Sequence, residues 1–207
     1  TSKGTDPHVL VMSATPIPRT LALLMYGDLD VSILDELPPG REPVDTFLVN
    51  ESYRGRINAF IRKQVAEGHQ VYVVCPAVEE SEALNLKAAE TWADTLQQTG
   101  FPDLKVALLH GQMKGAEKDA VMSAFSKQEA DILVATTVIE VGVNVPNATL
   151  MVIEDADRFG LSQLHQLRGR VGRGKAKSFC ILTSHSKNPE TLQRIKAFCK
   201  TNDGFKI

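Results

Sequence analysis

The sequence predicts an α/β fold in which helices cover both faces of a parallel sheet. Short β-branched runs alternate along the chain with segments of helical periodicity, and this order is typical of β-α-β units. The apolar runs are nearly unbroken, as at residues 70–75 and 131–135, which favours strands buried on both faces. We expect one substantial core, since 43% of the 207 residues are hydrophobic and 23% are charged.

The individual elements follow from local composition and periodicity. Seven strands are expected, at residues 9–12, 44–49, 71–75, 106–109, 132–135, 150–153 and 178–182. Apolar residues at helical spacing predict three helices, around residues 57–65, 120–125 and 192–198, the first of which stops before Gly68. The acidic cluster of Glu79, Glu80 and Glu82 is interpreted as a solvated loop.

A proline- and glycine-rich cluster at residues 38–43 breaks helices and indicates a connector. Upstream of it we expect only the first strand and one helix at 17–26, which is too little to bury a core. The sequence therefore predicts that residues 1–40 are the tail of a preceding domain plus a linker, and that residues 41–207 form the main domain.

Composition limits the class of protein. The formal net charge of −2 gives no overall basic field, so any nucleic-acid contact must depend on a local group of side chains. Cys75, Cys180 and Cys199 are widely separated in or beside apolar runs, as expected of reduced core thiols. Without a membrane-length apolar stretch or a signal peptide, the expected location is the cytoplasm. The five histidines show no paired ligand spacing, so no metal site is predicted.

The most informative segment is a Q-x-x-G-R-x-x-R array formed by Gln166, Gly169, Arg170 and Arg173. Arginine forks match phosphate oxygens, so two of them on one turn can neutralise charge on a γ-phosphoryl group, as an arginine finger does. The alternative is a solvated basic run. Gly169 and Gly172 favour the functional interpretation, because they permit a close backbone approach that a plain charged helix does not need.

Two further pairs stand at predicted strand ends. Thr136 and Thr137 follow the strand at 132–135, at the carboxyl end where open α/β sheets place their ligands, although simple capping of the strand end is an equal alternative. Glu154 and Asp155 are neighbours on a strand end and point to opposite sides, so a loop or hydrogen-bonding role is favoured over an acid/base dyad.

Four segments, in order, resemble motifs of superfamily 2 helicases. The arginine array resembles motif VI; Ser-Ala-Thr-Pro-Ile-Pro-Arg-Thr at 13–20 resembles motif III; His-Gly-Gln-Met at 110–113 lies in the region of motif IV; and Ala-Thr-Thr-Val-Ile-Glu-Val-Gly-Val-Asn-Val-Pro at 135–146 resembles motif V. Segments at 26–30, 35–41, 78–82 and 202–205 are similar to RecG-type ATP-dependent DNA helicases in particular. The resemblance spans essentially the whole chain.

This resemblance implies the second of two RecA-like motor domains, one without its own P-loop, and an ATP site split between them. Arg170 and Arg173 would reach the γ-phosphate, with Gln166 positioning that segment. Gly142 and Asn144 would approach the nucleotide together with Gly169, although Asn144 stands where RecG-type sequences carry Asp and so keeps the acceptor oxygen without the charge. The backbone of DNA would meet Thr136, Thr137 and the amide of Gly111, and motif III (Ser13, Ala14 and Thr15) would couple nucleotide state to domain movement.

The function implied is ATP-driven remodelling of branched DNA, such as stalled replication forks and Holliday junctions, in repair and recombination. ATP and Mg²⁺ would be bound mainly by the N-terminal motor domain, because neither G-x-x-x-x-G-K-[ST] nor a D-E-x-H box occurs here. The isolated fragment is expected to be inactive. Its partners would be DNA and the N-terminal RecA-like and wedge domains of the same monomeric protein.

Two alternatives remain open. The motor of a transcription-repair coupling factor shares the blocks at 15–20, 110–113 and 166–173, whereas the segments at 36–41 and 78–82 favour a RecG-type enzyme. The second alternative is a catalytically silent RecA-like binding module, but loss of Gly169, Arg170 or Arg173 would be expected of one, and all three are present.

Overall fold

A computed structural model describes residue 10 and residues 43–76, 82–136 and 144–201. The chain divides into two compact units, Thr1–Ile33 and Leu34–Ile207, and every helix and strand described here belongs to the second. The predicted strand at 9–12 lies outside the described residues apart from Leu10, as does the predicted helix at 17–26. The predicted boundary near residue 40 stays a prediction.

The described part of the second unit is built on a single sheet of six parallel strands, in the order β1-β6-β5-β2-β4-β3. These are β1 (Asp45–Val49), β2 (Gln70–Val74), β3 (Val106–Leu109), β4 (Ile132–Ala135), β5 (Ala148–Ile153) and β6 (Phe179–Thr183). Each predicted strand from residue 44 onwards is confirmed to within two residues at either end. The α/β class with a parallel sheet is therefore confirmed.

In the described ranges, five α-helices accompany the strands: α1 (Arg54–Ala66), α2 (Glu82–Thr95), α3 (Gly115–Ser126), α4 (Leu161–Arg168) and α5 (Pro189–Lys200). The three predicted helices are α1, α3 and α5. The start of α5 is fixed by Asn188, whose side-chain oxygen accepts from the backbone N–H of Glu190 at 2.9 Å, and by Pro189 in the first turn. Glu82, interpreted as part of a loop, is instead the first residue of α2.

The helices lie on both faces of the sheet, as predicted. Alternate residues of β2 enter two separate apolar clusters, with Tyr72 and Val74 in one and Val71 and Val73 in the other. The first cluster includes buried residues of α3, α4 and α5 (Phe125, Leu164 and Phe198), and the second includes buried residues of α1 and α2 (Ile57, Ile61 and Ala93). The sheet therefore lies inside the domain.

Because all strands run the same way, their carboxyl ends share one edge of the sheet. That edge carries the residues that follow each strand (Asn50, Cys75, His110, Thr136, Glu154 and Ser184). The three cysteines are free, and Cys180 is fully buried. Among the described helices, none is long and apolar enough to cross a bilayer.

Candidate functional site

The arginine array lies on α4 and on the turn that follows it. The helix begins after Gly160, whose backbone N–H donates to Oε1 of Gln163 at 2.9 Å, and it buries Leu164 and Leu167 in the core. Gln166 is half-buried on the last turn, one helical turn before Arg170. The helix ends at Arg168, so Gly169 opens the turn that carries the two predicted arginines.

Glycines fix the course of this turn. Gly172 has a φ of +75°, in the left-handed region that a residue with a Cβ rarely adopts. A Cβ on Gly174 would lie 2.5 Å from the carbonyl oxygen of Pro146, so the backbone approaches the segment before β5 closely. Asn144, two residues before Pro146, is exposed. The structure thus brings the arginine turn and Asn144 to the amino-terminal edge of the sheet.

The two arginines of the turn lie close enough to repel each other. Burial lowers the pKa of Arg170 below its usual range, and the positive charge of Arg173 lowers it further. Arg173 is exposed, and its Nε donates to the carbonyl oxygen of Gly169 at 2.9 Å. The pair also lies near Tyr72 of β2, whose pKa is raised to about 12 by burial, against the opposing influence of the two guanidiniums. Concentrated positive charge of this kind favours an anionic ligand.

The opposite, carboxyl-terminal edge holds the residues predicted to touch DNA. Thr136 follows β4 and is buried, with its backbone N–H donating to the carbonyl of Leu109 at 3.2 Å. Gly111 is exposed two residues beyond β3, and β3 pairs with β4 so that Leu109 stands opposite Ala135. Thr136 and Gly111 are therefore neighbours, on the edge opposite the arginine turn.

A cleft of about 440 Å³ opens beside Thr136 at this edge. Its polar wall is an ion-pair network: Arg54 donates to the two carboxylate oxygens of Glu154 at 2.6 and 2.8 Å and to those of Glu51 at 2.8 and 3.0 Å. Glu154 also accepts from the hydroxyl of Thr183 at 2.7 Å. The hydrogen bonds to Glu154 raise the pKa of Arg54 above its usual range. Arg54 belongs to no sequence motif and is 100 residues from Glu154, so this pair was not predicted.

The acidic pair Glu154 and Asp155 divides as expected. Glu154 is 7% exposed and serves as an acceptor in the network, which confirms its hydrogen-bonding role. Asp155 has a φ of +46°, and its carboxylate lies 3.7 Å from Nε2 of the exposed His185. Across the described ranges, no group of three His, Cys, Asp or Glu side chains could hold a metal ion.

Five predicted site residues lie outside the part of the chain that the structure describes: Ser13, Ala14, Thr15, Thr137 and Gly142. Their predicted roles stay predictions. Of the others, the structure separates the residues predicted to approach the nucleotide, around Arg170, from those predicted to contact DNA, around Thr136, at opposite edges of one sheet.

Comparison with known proteins identifies the family of this chain. Residues 55–175 match the helicase conserved C-terminal domain, which is more than half of the chain, and the chain belongs to this family. Its RecA-like fold, predicted from the motifs, is thereby confirmed.

Over its whole length the chain is similar to the ATP-dependent DNA helicase RecG. It is 54% identical to that of Synechocystis, over 100% of this chain and 25% of the relative, and 58% identical to that of Aquifex aeolicus, over 99% and 26%. A solved structure of RecG bound to a three-way DNA junction superposes with a TM-score of 0.81 and 46% identity, covering 94% of this chain and 25% of that one. The chain thus spans about a quarter of the length of these relatives.

Proposed function

We propose that this chain is the second RecA-like motor domain of an ATP-dependent DNA helicase that remodels branched DNA in repair and recombination. The arginine pair is the observation that carries this proposal. It is held on a glycine-fixed turn at one edge of the sheet, and Thr136 and Gly111 lie at the other edge. Stalled replication forks and Holliday junctions are the proposed substrates. The whole-length similarity to RecG supports this motor over that of a transcription-repair coupling factor.

In this proposal, ATP lies between this domain and an N-terminal motor domain of the same protein. Arg170 and Arg173 approach the γ-phosphate, where a rigid cationic fork stabilises the charge that develops during transfer. Gln166 and Gly169 set the position of the turn, because Gln166 lies on the last turn of α4 and Gly169 caps the helix, with its backbone N–H donating to the carbonyl of His165 at 3.1 Å. Asn144 and Gly142 face the nucleotide from the neighbouring segment. Mg²⁺ and most of the ATP contacts come from the other domain.

DNA occupies the carboxyl-terminal edge. The hydroxyls of Thr136 and Thr137 and the amide of Gly111 contact backbone phosphates, which carry no base identity, as a motor that moves along any sequence requires. Segment 13–15 couples the nucleotide state to this edge. We place the protein in the cytosol as a monomer whose partners are DNA and its own N-terminal RecA-like and wedge domains, and the free thiols are consistent with that location.

The test is the DNA-stimulated ATPase of the full-length protein with Arg170→Ala or Arg173→Ala. Removing an arginine finger lowers kcat on the order of a thousandfold, which corresponds to about 4 kcal/mol of lost transition-state stabilisation. Binding of ATP and of a branched DNA is expected to persist, because the phosphates and the duplex keep their other contacts.

Arg62→Ala is the matched control. Arg62 is an exposed arginine on α1, across the sheet from α4, and donates to Asp103 at 2.9 Å. Its loss is expected to leave kcat unchanged. If Arg170→Ala and Arg173→Ala hydrolyse ATP as fast as the Arg62→Ala protein, the arginine pair is not part of an ATP site and the proposed motor function fails.

A further inference from the structure

Arg168, the last residue of α4, is a buried cation whose presence stability alone does not explain. It is 3% exposed, and burial lowers its pKa below the usual range. Within the described ranges, no carboxylate lies near enough to favour its charge, and the ionisable groups beside it are the thiols of Cys180 and Cys199, which burial keeps in the neutral form by raising the pKa of each. Burying an unpaired guanidinium costs free energy that an apolar side chain of similar size does not.

The guanidinium of Arg168 joins three elements. Its Nη1 donates to the carbonyl oxygen of Phe198 at 2.9 Å and to the hydroxyl of Thr46 at 3.4 Å, and its Cζ lies 3.9 Å from the centre of the Phe198 ring. Nη2 lies 3.5 Å from Nδ1 of His165. The Phe198 carbonyl belongs to the last turn of α5, where the helix dipole favours a cation. The end of α4 is therefore tied to α5 and to β1.

The residue that makes these contacts directly precedes the turn that carries the arginine pair. The next residue, Gly169, supplies the carbonyl that accepts from Nε of Arg173 at 2.9 Å, and Arg170 follows it. Because Gly169 is bonded to Arg168 and its backbone N–H donates to the carbonyl of His165 at 3.1 Å, a shift of Arg168 moves this acceptor with it. A planar fork fixes direction as well as distance, which a flexible apolar side chain cannot do.

We propose that Arg168 is a positioning residue, which holds the turn of Arg170 and Arg173 in its orientation by anchoring the end of α4 to the last turn of α5. It does not touch the nucleotide itself. This inference rests on the proposed function of the arginine pair. Misplacing a catalytic group by about 1 Å costs on the order of a hundredfold in rate.

The experiment uses the full-length protein with Arg168→Met, which keeps the length and apolar contacts of the side chain and removes the fork. At a temperature well below unfolding, kcat of the DNA-stimulated ATPase is expected to fall about a hundredfold, with KM for ATP changed less than about twofold. The Tm is expected to stay level or rise, because an unpaired buried charge has been removed. Arg168→Lys, which can still donate to the Phe198 carbonyl, is expected to recover part of kcat.

Gln64→Leu is the matched control. Gln64 is 4% exposed on α1, across the sheet, and accepts from the hydroxyl of Thr149 at 2.6 Å. Its replacement is expected to lower the Tm and leave kcat per folded molecule unchanged, as a purely structural role predicts.

Arg170→Ala, measured in parallel, separates the possible failures. Normal kcat in both Arg168→Met and Arg170→Ala overturns the proposed function. Normal kcat in Arg168→Met alone overturns the positioning role and leaves the proposed function standing. If Arg168→Met does not fold, Arg168→Lys decides: a reduced kcat at unchanged Tm supports positioning, and a wild-type kcat overturns it.

Discussion

Replacing Gly174 with alanine tests the approach that places the arginine turn beside Asn144. The new Cβ would stand 2.5 Å from the carbonyl oxygen of Pro146 and 3.3 Å from its carbonyl carbon. Carbon–oxygen contacts normally begin near 3.3 Å, so the two backbone segments must separate by about 0.8 Å. Neither contact atom is on a flexible side chain, so the cost is that of overpacking, about 2 kcal/mol.

Urea unfolding of the chain measures this cost. With an m value near 2 kcal/mol/M, the midpoint of the Gly174→Ala protein is expected about 1 M below that of the wild type. Gly115→Ala is the control, because Gly115 begins α3 with no heavy atom within 4 Å of a new Cβ. There alanine is expected to raise stability by up to about 1 kcal/mol. Equal shifts in the two variants would mean that Pro146 does not lie against Gly174, and the shared site of Asn144 and the arginines would be refuted.

Three other changes test separate features. Glu154→Gln removes the charge opposite Arg54, whose side chain is 25% exposed. With that exposure taken into account, the free energy of unfolding is expected to fall by about 2 kcal/mol, measured by thermal unfolding. Asp103→Asn, on the exposed surface, should leave the Tm unchanged. Burial raises the pKa of Cys180 from its usual 9.0 to about 12, so between those pH values the unfolded thiol ionises and the folded one does not. Stability should therefore fall with rising pH by up to about 1.4 kcal/mol per pH unit more steeply than in Cys180→Ala, and parallel pH profiles would contradict this. Thr136→Val should weaken DNA binding by about tenfold or less. The salt dependence of the affinity should not change, because a neutral hydroxyl releases no counterion from DNA. A changed slope of affinity against salt concentration would argue against a contact between the Thr136 hydroxyl and a phosphate.

The strands were predictable because burial on both faces leaves an unbroken apolar run. All residues of β2, β4 and β5 are buried, and these strands needed no alternation to be recognised. Helix α2 was not predicted, since two of its buried residues are Ala89 and Ala93. Alanine adds little to an apolar periodicity, so the helix has no strong stripe in the sequence even though it packs on the sheet.

The candidate site was predictable where motifs mark it and not where tertiary contacts create it. Arg170 and Thr136 belong to segments with a family resemblance, and the structure places them on turns at opposite edges. Arg168 was missed because arginine is rarely buried, although its position four residues after Leu164 puts it on the core face of α4. The pairing of Arg54 with Glu154 joins residues 100 apart, and neither has a local pattern that indicates the other.

The two proposed interfaces are joined by a single strand. β5 begins just after Pro146, which meets the arginine turn, and ends just before Glu154, which Arg54 holds beside the cleft. Each of its six residues is buried, and it pairs with β2 and β6 on its two sides, so about 20 Å of buried strand separates the two edges. We therefore expect a displacement caused by a nucleotide at one edge to be transmitted through the sheet to the other edge. Under the proposed function, we expect the domain to move as one body against the proposed N-terminal motor domain and to carry the proposed DNA contacts with it, in the manner of hinge and shear closure.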